Sequence, residues 1–411
     1  MTDYVISGGR SSAYPTQHYG AQFTGSRATF CLEADFSGLD ANAQAIPNLP
    51  ITVLSPSPVS VGQAFFGMHI KNRSNDSVSG VTFKTVRSHD MAGGKGRWQF
   101  IQPTSSTWDW VDLDAWVNTH YAAGRDLVFT LFGTPTWASA RSTERNAYSD
   151  QPGDPSQYNR GIAAEPLDMT KWDAYCTAVA TRYKGQIKYY EVWNEPNWHN
   201  DGTGPGVNTD CYFTGAFAKL SEMVRRANQA IKAVDPTAKI ICPATTVWAA
   251  TSGSADSYFT GMMSASDGAT GTMKDWIDIV GVHLYLPSPN RAQDLAGMID
   301  RVNASKTTAG VSALPTWDTE SAPIGGYVSG MSDVQAQAVI GRMLLTIAAK
   351  GVARTIYYQY DDSTMGFSDR PGMVTFTEYI KTLLLNGSIL SVNRFTDGRV
   401  AYLTSAGLSI I

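Results

Sequence analysis

Short apolar runs alternate with longer segments of helical periodicity between about residues 64 and 360. The runs are rich in β-branched and aromatic residues, which is typical of buried strands. We predict eight strands from them: Ala64–Met68, Thr82–Arg87, Leu127–Phe132, Ile187–Trp193, Ile240–Cys242, Ile277–Leu284, Leu314–Thr319 and Thr355–Gln359.

Amphipathic segments lie between most of these strands and predict helices. They are Leu113–Ala123, Met169–Tyr183, Tyr212–Val234, Arg291–Thr308 and Val334–Lys350, with Thr375–Leu385 after the last strand. The first crossover, residues 70–81, is too short and polar to predict a helix. Apolar strands that alternate with helices indicate a parallel sheet covered on both faces. Eight such repeats predict an α/β protein with a (β/α)8 TIM barrel.

The two ends of the chain have a different composition. Residues 1–60 are rich in Ser, Gly, Ala and Pro and predict an N-terminal arm. Two alternating segments flank Thr396-Asp397-Gly398, which predicts a hairpin. We therefore expect a small β appendage formed by the N-terminal arm and the C-terminal hairpin. The predicted domains are 1–60, the barrel at 61–385 and the hairpin at 386–411, which could belong to a truncated accessory domain.

Composition narrows the functional classes. The net charge of −4 and the pI of about 5.9 argue against nucleic acid as a partner. No apolar stretch is long enough to predict a membrane span. The aromatic share of 11% fits either a large core or a sugar-binding cleft. Four widely spaced cysteines form no C-x-x-C pair, so we expect no metal or redox motif, and their spacing assigns no disulfide: Cys31, Cys176, Cys211 and Cys242.

Carboxylates follow two of the predicted strands. Strand four runs into Glu191–Asn197 (Glu-Val-Trp-Asn-Glu-Pro-Asn), and strand seven runs into Thr319-Glu320. Catalytic groups of such barrels lie at the carboxyl ends of the strands, so Glu195 and Glu320 are expected to face each other across the barrel mouth. Two facing carboxylates are the usual equipment of a glycoside hydrolase.

The strand-four string resembles the corresponding motif of the clan A glycoside hydrolases, which are retaining (β/α)8 enzymes. Within the clan it is most similar to the family 39-type branch of β-xylosidases, α-iduronidases and bacterial exopolysaccharide endoglycosidases. Further matches follow in order over about residues 64–360. They are Val86-Arg87 with Asp90, Trp108–Asp114, Gly133–Ser139, His283–Tyr285 and Thr319-Glu320.

The resemblance implies roles for these residues. Glu195 would be the general acid/base, protonated near neutral pH through a raised pKa, and Glu320 would be the ionised nucleophile. Asn194 would donate to the sugar 2-hydroxyl, while Arg87 and Tyr285 would both donate to Glu320. Other residues expected at the substrate are His69, Asp90, Trp137, Trp193, His283, Trp317, Tyr358 and Tyr360.

Several alternatives stay open on the residues alone. Asp318 shares the strand parity of Glu320 and could carry the charge instead. Arg87 could serve only as the partner of Glu191, which we expect to be a buried carboxylate paired with a cation. Trp193 suits packing as well as sugar stacking.

Strand eight departs from the clan. Members commonly end this strand with a Trp beneath the sugar at the cleavage point, whereas this chain has Tyr358 and Tyr360. A tyrosine is a smaller platform with a polar end, so the bound sugar is expected to differ from the usual ones.

The sequence thus predicts a retaining glycosidase that cleaves an oligo- or polysaccharide by double displacement. We expect endo action, with a bacterial exopolysaccharide as the substrate, and no cofactor. The alternative is a catalytically silent carbohydrate-binding barrel of a larger particle. A metal-dependent hydrolase is disfavoured because His69-Ile70-Lys71 lacks the His-x-His pattern. No secretory signal is visible at Met1–Arg10, yet the substrate favours an extracellular or particle-associated protein.

Overall fold

The structure is a computed structural model that describes most of the predicted barrel. The described residues are 30–31, 50–51, 59–60, 62–72, 81–147, 159–204, 211–248, 254–286, 294–323, 333–361, 377, 380–381, 384, 388–394, 400–404 and 407–410.

All eight predicted strands are present, with somewhat different ends. They are β1 (Phe66–His69), β2 (Thr85–Arg87), β3 (Asp126–Leu131), β4 (Ile187–Val192), β5 (Lys239–Ile241), β6 (Val280–His283), β7 (Thr316–Ser321) and β8 (Arg354–Tyr357). Nearly all their residues are buried, as expected for strands that are covered on both faces.

The eight strands form one parallel sheet in the order β5-β4-β3-β2-β1-β8-β7-β6. Its two outer strands approach each other through the parallel bridges Ile241–Ile279 and Thr245–Val282. The amide of His283 donates to the Thr245 carbonyl at 2.9 Å across this seam. The sheet therefore forms a nearly closed barrel, and the predicted α/β class is confirmed.

Within the described residues, six longer helices cover the sheet. They are α1 (Val111–Ala122), α2 (Met169–Arg182), α3 (Phe217–Val234), α4 (Ser254–Ser264), α5 (Asp294–Ala309) and α6 (Asp333–Ala349). Shorter helical turns occupy Met91–Gly94, Trp98–Ile101 and Met273–Trp276, and residues 377, 380, 381 and 384 are also helical. The expectation that the first crossover lacks a helix falls mainly on residues 73–80, which lie outside the described residues.

Helix α4 is missing from the sequence prediction. Its buried residues are Ala255, Tyr258, Phe259, Met262 and Met263, which repeat at the spacing of one helix face. This periodicity was available in the sequence. The surrounding Ser, Gly and Thr residues mask it, since they are typical of loops.

The core has two layers. A small cluster of side chains from several strands contains Val128, Ile241, Ile279, Trp317 and Ile356. A much larger cluster packs the helices against the strands.

Segments from both ends of the chain pair in a second sheet. Val59–Ser60 pairs antiparallel with Ser388–Arg394, which pairs with Val400–Thr404, which in turn pairs with Gly407–Ile410. The predicted turn at 396–398 lies outside the described residues. It stays a prediction that this sheet is an appendage separate from the barrel. The domain boundaries also stay predictions. Among the described helices, none has the length and apolar character needed to cross a bilayer.

Candidate active site

Arg87 lies at the carboxyl end of β2 and joins three other polar side chains. Its Nη1 donates to Glu320 Oε2 at 2.6 Å, its Nη2 to Asn194 Oδ1 at 2.7 Å and its Nε to Glu191 Oε2 at 2.7 Å. Arg87 and Glu191 are both fully buried. A buried guanidinium needs such compensation, because removing an unpaired charge from water is very costly. The network thereby fixes the ends of β2, β4 and β7 relative to one another.

The segment after β4 holds Glu195 in an unusual backbone conformation. Trp193 and Glu195 have φ angles of 68° and 44°, in the left-handed region that side chains other than glycine rarely adopt. The amide of Glu195 donates to the Ala244 carbonyl at 3.0 Å. Asn197, which the sequence analysis did not single out, exchanges two hydrogen bonds with the backbone of Thr246. Neighbouring strands thus fix this turn.

The two predicted catalytic carboxylates face each other. Glu195 and Glu320 are mostly buried, at 8% and 7% exposure, and one oxygen of each lies within 4.8 Å of the other. Retaining glycosidases separate their carboxyl groups by about 5–5.5 Å, and inverting ones by about 6.5–9.5 Å. The short separation fits direct attack on the sugar by one carboxylate.

Hydrogen-bond partners distinguish the two carboxylates. Glu320 accepts from Arg87 and, at 2.5 Å, from the Tyr285 hydroxyl. Both donors favour an ionised carboxylate. Glu195 contacts His283 instead, with Nδ1 and Oε1 at 2.7 Å.

Burial and mutual charge shift the titration of these groups. Burial raises the pKa of Glu320 to about 7; the charges of His283 and Arg87 oppose this rise, and the charge of Glu195 adds to it. Burial lowers the pKa of His283, but the charge of Glu320 and the hydrogen bond that His283 Nδ1 donates to Glu195 outweigh it, and the net pKa is raised. The pKa values of Glu320 and His283 therefore depend on each other's charge.

Two alternatives were left open by the residues alone: Asp318 in place of Glu320 as the charged carboxylate, and Arg87 as a partner of Glu191 only. The contacts of Asp318 and Arg87 decide both. Asp318 accepts from the Leu284 amide at 3.1 Å and from the Thr355 hydroxyl at 2.7 Å, away from Arg87. The register of β7 with both neighbours shifts after Asp318, so the expectation that it shares a side with Glu320 is wrong. Arg87 pairs with Glu191 and Glu320 together, not with one alone.

The strand-eight tyrosines lie close to this cluster. Tyr358 is half-buried, and its ring contacts His69 and Tyr285 at centroid distances of 5.1 and 6.4 Å. Tyr360 is also half-buried, and its amide donates to the His69 carbonyl at 3.0 Å. Their contact with a sugar stays a prediction.

Four residues expected at the substrate are buried instead. Trp193 has no exposed surface, because its ring packs between Phe132 and Phe213 and its Nε1 donates to the Tyr212 carbonyl. The expectation that it stacks on a sugar is therefore wrong. Trp317 is 4% exposed and lies in the small strand cluster beneath the Arg354 guanidinium, near the start of β7, so its proposed stacking role is also wrong.

The two histidines are buried for different reasons. His69 Nε2 lies 3.0 Å from the Thr319 carbonyl, and burial lowers the pKa of His69, which makes it a neutral support for β7. His283 has no exposed surface and reaches Glu195 from within the barrel. The expected contact of His69 and His283 with the substrate stays a prediction.

Asp90 and Trp137 keep exposed surface. Asp90 is partly exposed beyond β2, and Arg97 lies 3.8 Å away. Trp137 follows β3, donates to the Gln102 carbonyl at 3.0 Å and lines a groove in the protein surface. Asn194 is 3% exposed; Arg87 occupies its carbonyl oxygen, which leaves its amide nitrogen as the donor.

Glu195, His283 and Glu320 also form a group of possible metal ligands, with one ligand atom each within 4.8 Å of the others. Both oxygens of Glu320 accept from protein donors, Glu195 Oε1 contacts His283 Nδ1, and Arg87 supplies a permanent positive charge at Glu320. A second cation there would meet repulsion from Arg87.

A barrel with two close carboxylates at the carboxyl ends of β4 and β7 defines the protein as a glycoside hydrolase. The family model described as Cellulase (glycosyl hydrolase family 5) matches residues 76–322, more than half of the 411 residues. The chain belongs to this family. It is a clan A enzyme, an O-glycosyl hydrolase that retains the anomeric configuration, and the expected clan is confirmed.

Solved structures with the same fold come from several glycoside hydrolases. A glucosidase from Croceicoccus marinus has a TM-score of 0.59 and 14% identity over 84% of this chain and 73% of that one. A family 39 glycoside hydrolase from Bacteroides cellulosilyticus WH2 has a TM-score of 0.56 and 13% identity over 84% of this chain and 68% of that one. A monomeric β-xylosidase from Caulobacter crescentus CB15 has a TM-score of 0.56 and 19% identity over 84% of this chain and 74% of that one. At these identities the likeness shows the fold alone. No curated protein matches the chain.

Proposed function

We propose that Glu195 is the general acid/base and Glu320 the nucleophile of this retaining hydrolase. The observation that carries the proposal is the unequal surroundings of two carboxylates within 4.8 Å of each other. Glu320 accepts from Arg87 and Tyr285, while Glu195 is bonded to His283. The two donors favour the ionised form of Glu320, the form that attacks, which leaves Glu195 as the group that gives a proton to the leaving oxygen.

In the first step, a Glu320 oxygen attacks the anomeric carbon while the glycosidic C–O bond breaks. Glu195 transfers its proton to the leaving oxygen, so the aglycone departs as an alcohol. In the second step, Glu195 removes a proton from water, and the resulting hydroxide displaces Glu320 from the anomeric carbon. The proton taken from water restores the acid form of Glu195, and two inversions give net retention.

Asn194 and Tyr285 complete the proposed machinery. Because Arg87 orients the Asn194 amide through its carbonyl oxygen, the amide nitrogen can donate to the sugar 2-hydroxyl. Tyr285 keeps Glu320 in position through its 2.5 Å hydrogen bond. Tyr358, which contacts the Tyr285 ring, is the proposed platform beneath the reacting sugar.

The proposed substrate is a polysaccharide that is cut within the chain, and a bacterial exopolysaccharide is the first candidate. The resemblance of the strand-four motif to exopolysaccharide endoglycosidases supports the substrate class. An open groove on the same face of the barrel supports internal cleavage, because it leaves room for sugars beyond the cleaved bond. Such a substrate favours an extracellular or particle-associated protein. We also propose that the terminal strands form a small β appendage beside the barrel.

Product analysis on soluble polysaccharides tests this proposal. An endo-acting enzyme lowers viscosity well before reducing ends accumulate, whereas release of single sugars alone would contradict internal cleavage. Glu195→Ala should lose about 10²–10⁴-fold in activity on polysaccharide, where the leaving group needs a proton, and much less on aryl glycosides with acidic leaving groups. Equal losses on both substrates would contradict the role of Glu195.

A further inference from the structure

The turn that carries Glu195 runs beside the segment that follows β5. The two backbones pair up to Ala244, whose carbonyl accepts from the Glu195 amide at 3.0 Å. One further step of a regular parallel ladder would join the Thr246 amide to the Glu195 carbonyl and the Asn197 amide to the Thr246 carbonyl. The Glu195 carbonyl accepts from the Trp198 amide at 3.0 Å instead. The backbone therefore turns out of the ladder at the proposed acid/base.

The side chain of Asn197 makes both hydrogen bonds in place of the backbone. Its Nδ2 donates to the Thr246 carbonyl at 2.8 Å, and its Oδ1 accepts from the Thr246 amide at 2.9 Å. A side-chain amide offers the same kinds of donor and acceptor as a peptide group, so it can replace one in a ladder. Asn197 and Thr246 are 6% and 4% exposed, so both bonds are sheltered from water.

The backbone of Glu195 needs support from outside the turn. Its φ of 44° lies in the left-handed region, and a strained residue persists only where its surroundings hold it there. Pro196 has no N–H to donate, but its carbonyl accepts from the Tyr258 hydroxyl of α4 at 3.0 Å. Tyr258 and the Asn197 side chain therefore tie both residues after Glu195 to neighbouring parts of the barrel.

The segment that binds Asn197 also binds His283. Thr245 precedes Thr246 in the chain, and its carbonyl accepts from the His283 amide at 2.9 Å. The His283 ring in turn places Nδ1 2.7 Å from Glu195 Oε1. The contacts therefore form a closed circuit, in which Asn197 fixes the position of Glu195 relative to the His283 ring.

We propose that Asn197 is a positioning residue that holds the Glu195 carboxyl in place beside His283 for transfer of its proton to the leaving oxygen. The inference rests on the proposed function for the role of Glu195 as the acid/base. Glu320 has hydrogen bonds of its own from Arg87 and Tyr285. Loss of the Asn197 amide should therefore impair proton transfer and leave the nucleophile in place, since small displacements of a reacting group already slow a reaction.

Leaving groups of different acidity separate this role from general damage. The probes are the phenyl and 2,4-dinitrophenyl glycosides of the sugar that the protein hydrolyses fastest. The ratio kcat/KM covers formation of the glycosyl-enzyme, in which the phenyl leaving group needs a proton from Glu195 and the dinitrophenyl group does not. Asn197→Ala should lower kcat/KM about tenfold on the phenyl glycoside, a part of the about 10²–10⁴-fold that acid catalysis supplies, and leave the dinitrophenyl glycoside nearly unchanged. An equal loss on both glycosides, or no loss on either, would overturn the proposal.

Asn200→Ala is the matched control. Asn200 lies in the same loop, is 8% exposed and also bonds to backbone groups through its side-chain amide. Its Nδ2 donates to the Phe213 carbonyl at 2.6 Å, and its Oδ1 accepts from the Gly202 amide at 2.8 Å. Because these bonds do not involve the segment after β5, their loss should lower stability without changing the ratio of the two kcat/KM values. The same selective loss in Asn200→Ala would indicate general loosening of the loop and overturn the proposal.

Asn197→Asp serves if the alanine variant does not fold. It keeps the shape of the side chain and the acceptor for the Thr246 amide, but it presents an oxygen to the Thr246 carbonyl where the donor stood. The same selective loss on the phenyl glycoside is expected from it, and an equal loss on both glycosides or none on either would overturn the proposal.

Crystal structures of the variants test the position of Glu195 without any need for hydrolysis. In Asn197→Ala, Glu195 Oε1 should lie beyond hydrogen-bond distance of His283 Nδ1, whereas Asn200→Ala should keep the 2.7 Å contact. A contact that persists in Asn197→Ala would overturn the proposal. If Glu195→Ala itself loses equally on both glycosides, the proposed function fails, and the crystal structures alone then decide whether Asn197 holds Glu195 in place.

Discussion

Arg87 links three polar side chains of the candidate site. One guanidinium contacts a buried structural carboxylate, Glu191, the nucleophile candidate Glu320 and the side chain of Asn194. The planar arrangement of its donors permits three directed contacts at once, which a lysine ammonium on a flexible stem would not reproduce. Thr130 adds a hydrogen bond to Glu191 at 3.1 Å and so helps to fix the far end of this network.

Tyr285→Phe tests the hydrogen bond that holds Glu320. Loss of the hydroxyl removes a donor to the ionised form, so the pKa of Glu320 should rise further above its ordinary value. Since catalysis needs the ionised nucleophile, the acid limb of the kcat/KM profile should move to higher pH. We expect a loss of about 10–100-fold in kcat, from one hydrogen bond to a charged group. The measurement is a pH–rate profile of both proteins on one aryl glycoside, and an unmoved or lowered acid limb would contradict the prediction.

The sequence predicted where a residue lies when the residue belongs to a motif at a strand end. It did not predict the position of residues whose surroundings depend on packing. Glu195 and Glu320 follow apolar strands, and the barrel geometry brings such strand ends together. Trp193 and Trp317 carry no comparable signal, because a tryptophan in a strand suits a core or a sugar platform equally. The left-handed backbone at Trp193 depends on contacts with β3 that sequence periodicity does not describe.

At the scale of elements, strand β7 shows how one irregularity changes the chemistry. Regular alternation would place Asp318 and Glu320 on the same side. The register with β6 and β8 shifts beyond Asp318, which leaves Asp318 bonded to Leu284 and Thr355 while Glu320 reaches Arg87. The sequence predicts the strand correctly but contains no marker for the shift. Helix α4 is the opposite case, since its apolar periodicity is present in the sequence but lies among residues typical of loops.

Asp318→Asn tests whether burial raises the pKa of the Asp318 carboxyl. Burial raises the pKa of Asp318 from 3.8 to about 6, although hydrogen bonds from Ser321 and Thr355 oppose the change. Between these values the folded protein holds a proton that the unfolded chain has released, so this carboxyl lowers the free energy of unfolding as pH rises from about 4 to 6. The full effect above pH 6 is about 3 kcal/mol. The asparagine variant lacks this titration, and its stability relative to wild type should therefore rise over that interval.

Urea unfolding at pH 4, 5, 6 and 7 measures this difference. Asp300→Asn is the control, because Asp300 is 60% exposed and pairs with Lys350 on the surface. Its stability should stay nearly parallel to that of wild type. Parallel curves for Asp318→Asn and wild type would show that Asp318 has no raised pKa in the folded protein.

For the whole molecule, closure of the barrel is what creates the site. Glu195 follows β4 and Glu320 belongs to β7, and these strands are far apart in the chain. Bridges between the β5 and β6 sides of the sheet bring both strand ends to one mouth. Eight alternating repeats were enough to predict this architecture from the sequence. Of the groove beside the mouth, the sequence analysis placed only Trp137 at the substrate, because the rest of its lining comes from a short helical turn, loops and the start of α1, whose paths no strand pattern describes.

The assignment of Glu320 as the nucleophile is tested most directly by trapping the glycosyl-enzyme. The protein is incubated with an activated 2-deoxy-2-fluoro glycoside of the sugar that it hydrolyses fastest, digested and mapped by mass spectrometry. The double-displacement account predicts one added sugar per chain, covalently attached to Glu320, and no adduct in Glu320→Gln. An adduct on Asp318, Glu195 or any other residue would contradict it.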